Sequence, residues 1–255
     1  MPYIDINCDM SEGFGPWDFG HDVDARMMAS VTSINVAGGF HAGDPTLIAK
    51  TMALANKFGV GVGVHPGFRD LVGFGRRHIV ASAEELVNDC LYQLGAVREL
   101  ASTADIQLQH FKLHGALYMH AARDEEFADA LITALTKITP QLPVLVMDGT
   151  VIQRLCEARG YPIVREFYAD RHYDDDGRIV FTRNVGTLGA QETAEKVVRA
   201  CTEGVVRTVT GAEVPIAFES VCIHSDTSGA PELLDAIVQA LRAADIEIRS
   251  FSPAP

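Results

Sequence analysis

The chain is short of the residues that would tie it to a polyanion, a bilayer or an oxidising compartment. Lysine and arginine together number 21 against 34 aspartates and glutamates, a formal net charge of −13. A general binder of nucleic acid or of an anionic membrane needs a basic surface, so neither partner is expected. A local basic pocket stays open, with Arg76-Arg77 and Arg171 available for it. No apolar run is long enough to span a bilayer. Met1-Pro2-Tyr3-Ile4-Asp5 enters a strand with no charged n-region or apolar h-region before it, so no signal peptide is expected. Cysteine is scarce: Cys8, Cys90, Cys156, Cys201 and Cys222 are odd in number, widely spaced and free of any C-x-x-C pair. This argues against a disulfide or zinc framework and fits reduced thiols in a cytoplasmic protein. Cys8 and Cys222 fall inside apolar runs and are expected to be small buried side chains. No linker, low-complexity segment or repeat divides the chain. Neither G-x-G-x-x-G nor G-x-x-x-x-G-K-[ST] follows a strand, so no Rossmann or P-loop nucleotide site is indicated.

What the sequence does contain is a series of short apolar runs that each end on an ionisable group. Ile4 to Cys8 runs into Asp9, Val60 to Val64 into His65, and Phe111-Lys112-Leu113 into His114. Val144 to Met147 runs into Asp148, Ile163-Val164 into Glu166, and Val221-Cys222-Ile223 into His224. Helical periodicity separates them, most clearly over 83–101, where Ser82 and Glu85 spell a capping box. Further helices are expected over 124–135, 150–159, 191–202 and 231–244, and one starting at Thr46. Strands are expected at 3–8, 33–36, 61–64, 107–113, 144–147, 163–167, 220–223 and 247–251. Strands alternating with helices over 255 residues predict one α/β domain, 1–255. The architecture expected is a (β/α) barrel, whether regular, distorted or incomplete, with an open doubly wound sheet as the alternative. Either arrangement gathers the ionisable strand ends at one edge, where parallel sheets keep their chemistry. An enzyme is therefore the leading reading.

Period two places Asp5, Asn7 and Asp9 on one strand face and Ile4, Ile6 and Cys8 on the other. Such a polar face is tolerable inside only if it lines a polar cavity. Glu12 follows. His41 precedes Asp44 by three residues, a spacing that suits an oriented imidazole, although Asp44-Pro45 also reads as a helix cap. Gly67 to Arg77 is a glycine-containing loop whose arginines could grip a carboxylate or phosphate. Lys112 and His114 share a strand end. Three strand ends carry a histidine each, His65, His114 and His224, which turns lone residues into a site. Catalytic candidates are thus Asp9, His41, His65, Lys112, His114, Glu166 and His224. Substrate-binding candidates are Asp5, Asn7, Glu12, Asp44, Arg76, Tyr118, Arg171 and Asp226. Asp9, His41 and His65 offer a ligand set for a divalent metal. Asp174-Asp175-Asp176-Gly177 reads as a surface turn.

DINCDMSEGFG, NVAGGFHAGDP, VGVHPGFRDLVGFGRR, KLHGALY, REFYADRHYDDDGRIVFTR and CIHSDT, spread from residue 5 to residue 227, resemble the ordered motifs of the LamB/YcsF family. The resemblance implies a (β/α) barrel related to those of glycoside hydrolases and deacetylases. It also implies ATP-dependent opening of the 5-oxoproline lactam to L-glutamate, with ATP and Mg2+ and with partner subunits B and C. A homo-oligomer is left open. The sequence departs from the family pattern at Gly38, Leu113, Met119, Ser225 and Ser11, where Cys, Pro, Asn, Gly and Gly are common. The charged candidates are retained. Two other readings compete: a metal-dependent hydrolase or deacetylase acting alone on another lactam or acylated small molecule, and a non-catalytic subunit that binds a ligand or regulates a partner.

Overall fold

Ile4, Ile6, Cys8 and Met10 alternate with Asp5, Asn7 and Asp9, and both sets need to be buried in different surroundings. A closed barrel wrapped in helices supplies both. The computed structural model describes residues 2–15, 21–182, 186 and 188–251, and of His21 and Asp22 the backbone alone. In chain order the elements are β1 (Tyr3–Met10), α1 (His21–Met28), β2 (Ser33–Ala37), α2 (Pro45–Phe58), β3 (Gly61–His65) and α3 (Ala83–Ser102). They continue with β4 (His110–Phe111), α4 (Gly115–Ala121), α5 (Glu125–Ile138), β5 (Val144–Val146), α6 (Val151–Ala158) and β6 (Ile163–Tyr168). The last are α7 (Ala190–Glu203), β7 (Val205–Arg207), β8 (Glu213–Pro215), β9 (Ser220–His224), α8 (Ala230–Ala243) and β10 (Glu247–Ile248).

Strands β1 to β6 pair in sequence, all parallel, and β9 joins β6 back to β1, which closes a seven-stranded α/β barrel. The outward faces carry Ile34, Val36, Val62, Val64, Phe111, Val144, Val146, Phe167, Val221 and Ile223, all buried under the helices. Each such side chain contributes about 1.5–3 kcal/mol by leaving water. The inward face is polar, unlike the aliphatic layers that usually fill such barrels. Register sets Asp9 beside Asn35 and His224, Asn7 beside Cys222, and Asp5 beside Ser220.

Two expectations are corrected. The segment 247–251 does not enter the barrel: β10 pairs only with Tyr3 and Ile4, because from Asp5 onward that edge of β1 is taken by β9. The strand expected over 107–113 shortens to β4, although Gln109 N–H and Lys112 N–H still bond to β3 carbonyls, at 2.7 and 3.0 Å. Between α7 and β9 lies an antiparallel hairpin, β7–β8, that the alternation does not announce. Helices α3 and α5 to α8 fall within a few residues of the predicted spans, with the Ser82–Glu85 capping box formed. No helix among the described residues is long and apolar enough to cross a membrane, and all five cysteines are free.

Candidate active site

The site is built from the carboxyl ends of the strands downward. Lys112, just past β4, points into the barrel and is almost fully buried, a placement that normally penalises an ammonium. It is compensated on all sides: Nζ lies 3.0 Å from Asp9 Oδ1, 2.8 Å from Glu166 Oε1, 3.0 Å from Cys222 Sγ and 3.3 Å from Asn7 Oδ1. Burial acts to lower its pKa, but the charges of Asp9 and Glu166 outweigh it, and the ammonium is held well above its ordinary range. The Lys112 charge stands beside Glu166, neither of whose oxygens accepts a hydrogen bond of ordinary geometry among the described residues.

Asp9 is the hub. Asn35 donates to its Oδ1 at 2.7 Å, while His65 Nε2 and His224 Nε2 stand 3.3 and 3.4 Å from its Oδ2. Burial alone would push this carboxyl up; positive charge available on His65, Lys112 and His224 prevails and holds it well below the usual carboxylate range. His224 is oriented in turn by Asp170, which accepts from its Nδ1 at 2.9 Å and from its backbone N–H at 3.1 Å. Thr227 Oγ1 and Arg171 Nη1 brace the same carboxylate at 2.6 and 2.9 Å. With Nδ1–H committed to Asp170, His224 turns Nε2 toward Asp9, the arrangement of a base and its orienting carboxylate.

A second group of histidines sits beside the first. His41 lies flat on His114, ring centroids 3.7 Å apart and planes within 5°, and His65 meets His114 edge-on at 4.9 Å. The loop after β3 closes over them, clamped by the Asp70–Arg77 ion pair. Its closeness depends on Gly75, at φ +63, where a Cβ would stand 2.7 Å from His114 Cδ2 and from His41 Cβ. Phe74, itself at φ 54, offers its carbonyl to His114 Nε2 at 2.8 Å. Ser11, at φ 64, turns the chain after β1 so that Glu12 reaches His41 Nε2 at 3.3 Å. Glu12, His41, His65 and His114 each bring one donor atom within 4.8 Å of the others, as do Asp9, Cys222 and His224, so the barrel mouth could hold a metal ion.

The structure gathers most of the sequence candidates but not all. Asp9, His65, Arg76, Lys112, His114, Tyr118, Arg171 and His224 line one cavity, with Tyr168, Phe181 and Thr182. Glu12 and His41 stand behind His114. Arg76 pairs with Asp226 at 2.7 Å on the rim, whereas Arg77 is spent within its loop. Asp5 and Asn7 lie deeper in the barrel. Asp5 accepts from Thr32 at 2.6 Å, from Ser33 at 3.0 Å and from Ser220, and Asn7 donates to Ser220 at 2.8 Å. They support the floor without reaching the cavity. Asp44 is away from it: the carboxylate caps α2, accepting from Thr46 and Leu47 N–H at 2.9 and 3.1 Å. Asp170, Asn35 and Tyr168 were not singled out by the sequence. The signal was there, since Glu166, Tyr168 and Asp170 alternate just as Asp5, Asn7 and Asp9 do. Cys222 is buried as expected, but on the inner face against Lys112.

The LamB/YcsF family model matches residues 4–255. The chain belongs to that family. It is 56% identical over 250 residues, 98% of this chain and 99% of the relative, to a Pseudomonas putida protein named as a 5-oxoprolinase A subunit. It is 55% identical, with the same coverage, to the protein of that name from Pseudomonas aeruginosa. The crystal structure of a lactam utilization protein from Thermus thermophilus superposes with a TM-score of 0.90 at 38% identity, covering 98% of this chain and all of the other. A family 4 carbohydrate esterase from Streptomyces lividans shares the fold alone, with a TM-score of 0.50 at 10% identity over 99% of this chain and 94% of that one.

Proposed function

We propose that this LamB/YcsF chain, taken as one catalytic unit, is the lactam-opening A subunit of an ATP-dependent 5-oxoprolinase. Such an enzyme turns 5-oxoproline, ATP and two waters into L-glutamate, ADP and phosphate. The supporting observation is the joint presence in one cavity of His224, oriented from behind by Asp170, and of the Lys112 ammonium, in a chain so close over its length to proteins that carry that name.

An unstrained five-membered lactam is a poor electrophile. Transfer of the γ-phosphoryl group to its amide oxygen makes the ring carbon reactive. Water attacks that carbon, the C–N bond breaks with the proton going to the leaving amine, and a second water hydrolyses the resulting γ-glutamyl phosphate to L-glutamate and phosphate. In this reading His224 Nε2 takes the proton from the attacking water, with Asp170 holding the ring in the required tautomer. Lys112 places positive charge near the oxygen on which charge develops. Arg76 and Arg171 at the cavity wall suit the substrate carboxylate or the phosphoryl group. Mg2+ accompanies ATP. With no phosphate-binding glycine motif in the sequence, we place at least part of the nucleotide site on partner subunits B and C. Five free thiols fit a cytoplasmic enzyme.

The test is release of L-glutamate from 5-oxoproline and MgATP by subunits B and C, with and without this chain. Glutamate should form only when all three are present. Asp170→Asn should lower kcat by about 10²–10⁴-fold with the chain still folded. Glutamate formed without this chain, or hydrolysis that proceeds without ATP, would overturn the assignment.

A further inference from the structure

His65 and His114 are each fixed in one tautomer by a carbonyl, which can only accept. His65 Nδ1–H donates to the Lys112 carbonyl at 2.9 Å, and His114 Nε2–H donates to the Phe74 carbonyl at 2.8 Å. The two remaining ring nitrogens, His65 Nε2 and His114 Nδ1, therefore both present lone pairs, and they face each other at 3.0 Å. Asp9 Oδ2 adds another lone pair 3.3 Å from His65 Nε2. Glu12 Oε1 adds one 3.5 Å from His114 Nδ1. So dense a group of acceptors repels itself unless a proton or a cation sits among them, and burial, with the Asp9 charge, pushes the Glu12 carboxyl well above its ordinary range. A proton on His65 Nε2, donated to His114 Nδ1, would satisfy the two rings but leave Glu12 Oε1 3.5 Å from a ring nitrogen with no hydrogen to offer it. One cation satisfies the two ring nitrogens and Glu12 Oε1 at once, while Asp9 keeps its contacts with Lys112 and Asn35.

The spacing suits that cation. Zinc binds histidine nitrogen and carboxylate oxygen at about 2.0–2.2 Å in tetrahedral geometry, which puts neighbouring donors roughly 3.3 Å apart. The separations of 3.0 Å between the rings and 3.5 Å to Glu12 bracket this. Bonds from the far side of each ring to a carbonyl are the usual support of a metal-binding histidine. His41 is excluded from the set by its stacking. Lone pairs lie in the ring plane, and two rings 3.7 Å apart with planes within 5° cannot both aim at one ion. His41 instead places Nε2 3.3 Å from Glu12, where its N–H would orient the carboxylate.

We propose that Glu12 Oε1, His65 Nε2 and His114 Nδ1 bind one divalent ion of the zinc class. The fourth position opens toward the cavity that His65 and His114 line. Two histidines and a glutamate with an open position is the pattern of a catalytic rather than a structural ion. The set differs from the Asp9, His41 and His65 combination that spacing alone suggests. The site stands on geometry; its use in holding the oxygen of the phosphorylated lactam rests on the function proposed above.

The experiment uses the full chain alone, stripped with chelator, without lactam, nucleotide or partner subunits, so its outcome is separate from glutamate release. Zn2+ binding is measured by equilibrium dialysis with elemental analysis, and Co2+ is added as a spectroscopic probe. One equivalent should bind per chain, with the visible absorption of four-coordinate Co2+. Glu12→Gln, which preserves shape, and His114→Ala should each weaken binding at least 100-fold. His41→Phe, which preserves the ring stack, should cost only about tenfold, as loss of a supporting contact does. Circular dichroism confirms folding of each variant. Absence of saturable stoichiometric binding to the folded native chain, undiminished binding by His114→Ala, or equal loss in His41→Phe and His114→Ala would overturn the proposal.

Discussion

At the level of single residues, Lys112 organises the barrel interior. It is a buried cation with two buried anions, Asp9 and Glu166, at 3.0 and 2.8 Å. Pairs of this kind owe little net stability to their attraction, because both partners have lost their water. Removing one partner is different, since it strands the other charge. Lys112→Met, similar in length and uncharged, should cost about 3–5 kcal/mol of unfolding free energy. Glu166→Gln in the same background should recover part of that loss, because the stranded charge goes with it. A double-mutant cycle in urea, followed by circular dichroism, should show a coupling of about 0.5–3 kcal/mol. If the two changes simply add, Lys112 and Glu166 are neighbours without being partners, and the account of the floor is wrong.

Among the elements, β3 is shaped by what it omits. Its Gly63 is paired with His110 of β4, and a Cβ at Gly63 would stand 2.1 Å from the His110 ring. That ring cannot swing aside, because its Nε2 bonds to Asn35 Oδ1 at 2.6 Å and Asn35 in turn donates to Asp9. Gly63→Ala should therefore destabilise the chain by about 1–3 kcal/mol through overpacking. The change would otherwise favour a strand by about 0.5–1 kcal/mol. A thermal melt at unchanged or higher midpoint would refute the crowding argument. The same strand shows what a sequence can and cannot reveal. Alternation in β1 and the histidine at the end of β3 were readable, because period two is local and so are the helix caps around Ser82 and Asp44. Closure was not: whether 247–251 could enter the barrel depended on β9 already occupying β1 from Asp5 onward, a fact of long-range register. Asp170 escaped notice because Asp174, Asp175 and Asp176 follow it closely, and only the fold separates the inward carboxylate from the surface turn. The pairing of Arg76 with Asp226 and of Arg77 with Asp70 was likewise set by a loop path that no spacing rule fixes.

For the molecule as a whole, the polar interior ties stability to pH. Burial pushes His110 down from an ordinary 6.5 to about 3, and it holds His41 and His114 well below their ordinary range. As pH falls below about 6.5 the unfolded chain takes up these protons and the folded chain does not. The unfolded state then binds more protons, so stability falls with falling pH, by about 1.4 kcal/mol per pH unit for each histidine. Asp5 works the other way. Burial raises its carboxyl from 3.8 to about 6, against the hydrogen bonds of Ser220, Thr32 and Ser33. Its ionisation in the folded state therefore costs stability as pH rises from about 4 to 6, and acidification returns that cost. Burial, and after it the Asp9 charge, raises Glu12 well above its ordinary range as well, so two carboxyls stand against three histidines. The metal-free chain should lose on the order of 2 kcal/mol between pH 6.5 and 5, read as a falling urea midpoint in buffers containing chelator. Asp5→Asn removes the Asp5 share of the opposing contribution, so its midpoint should fall more steeply over the same range. A native profile that is flat from pH 7 to 5 would mean that the histidines already carry their protons in the folded barrel, and an Asp5→Asn profile parallel to the native one would mean that Asp5 does not titrate there.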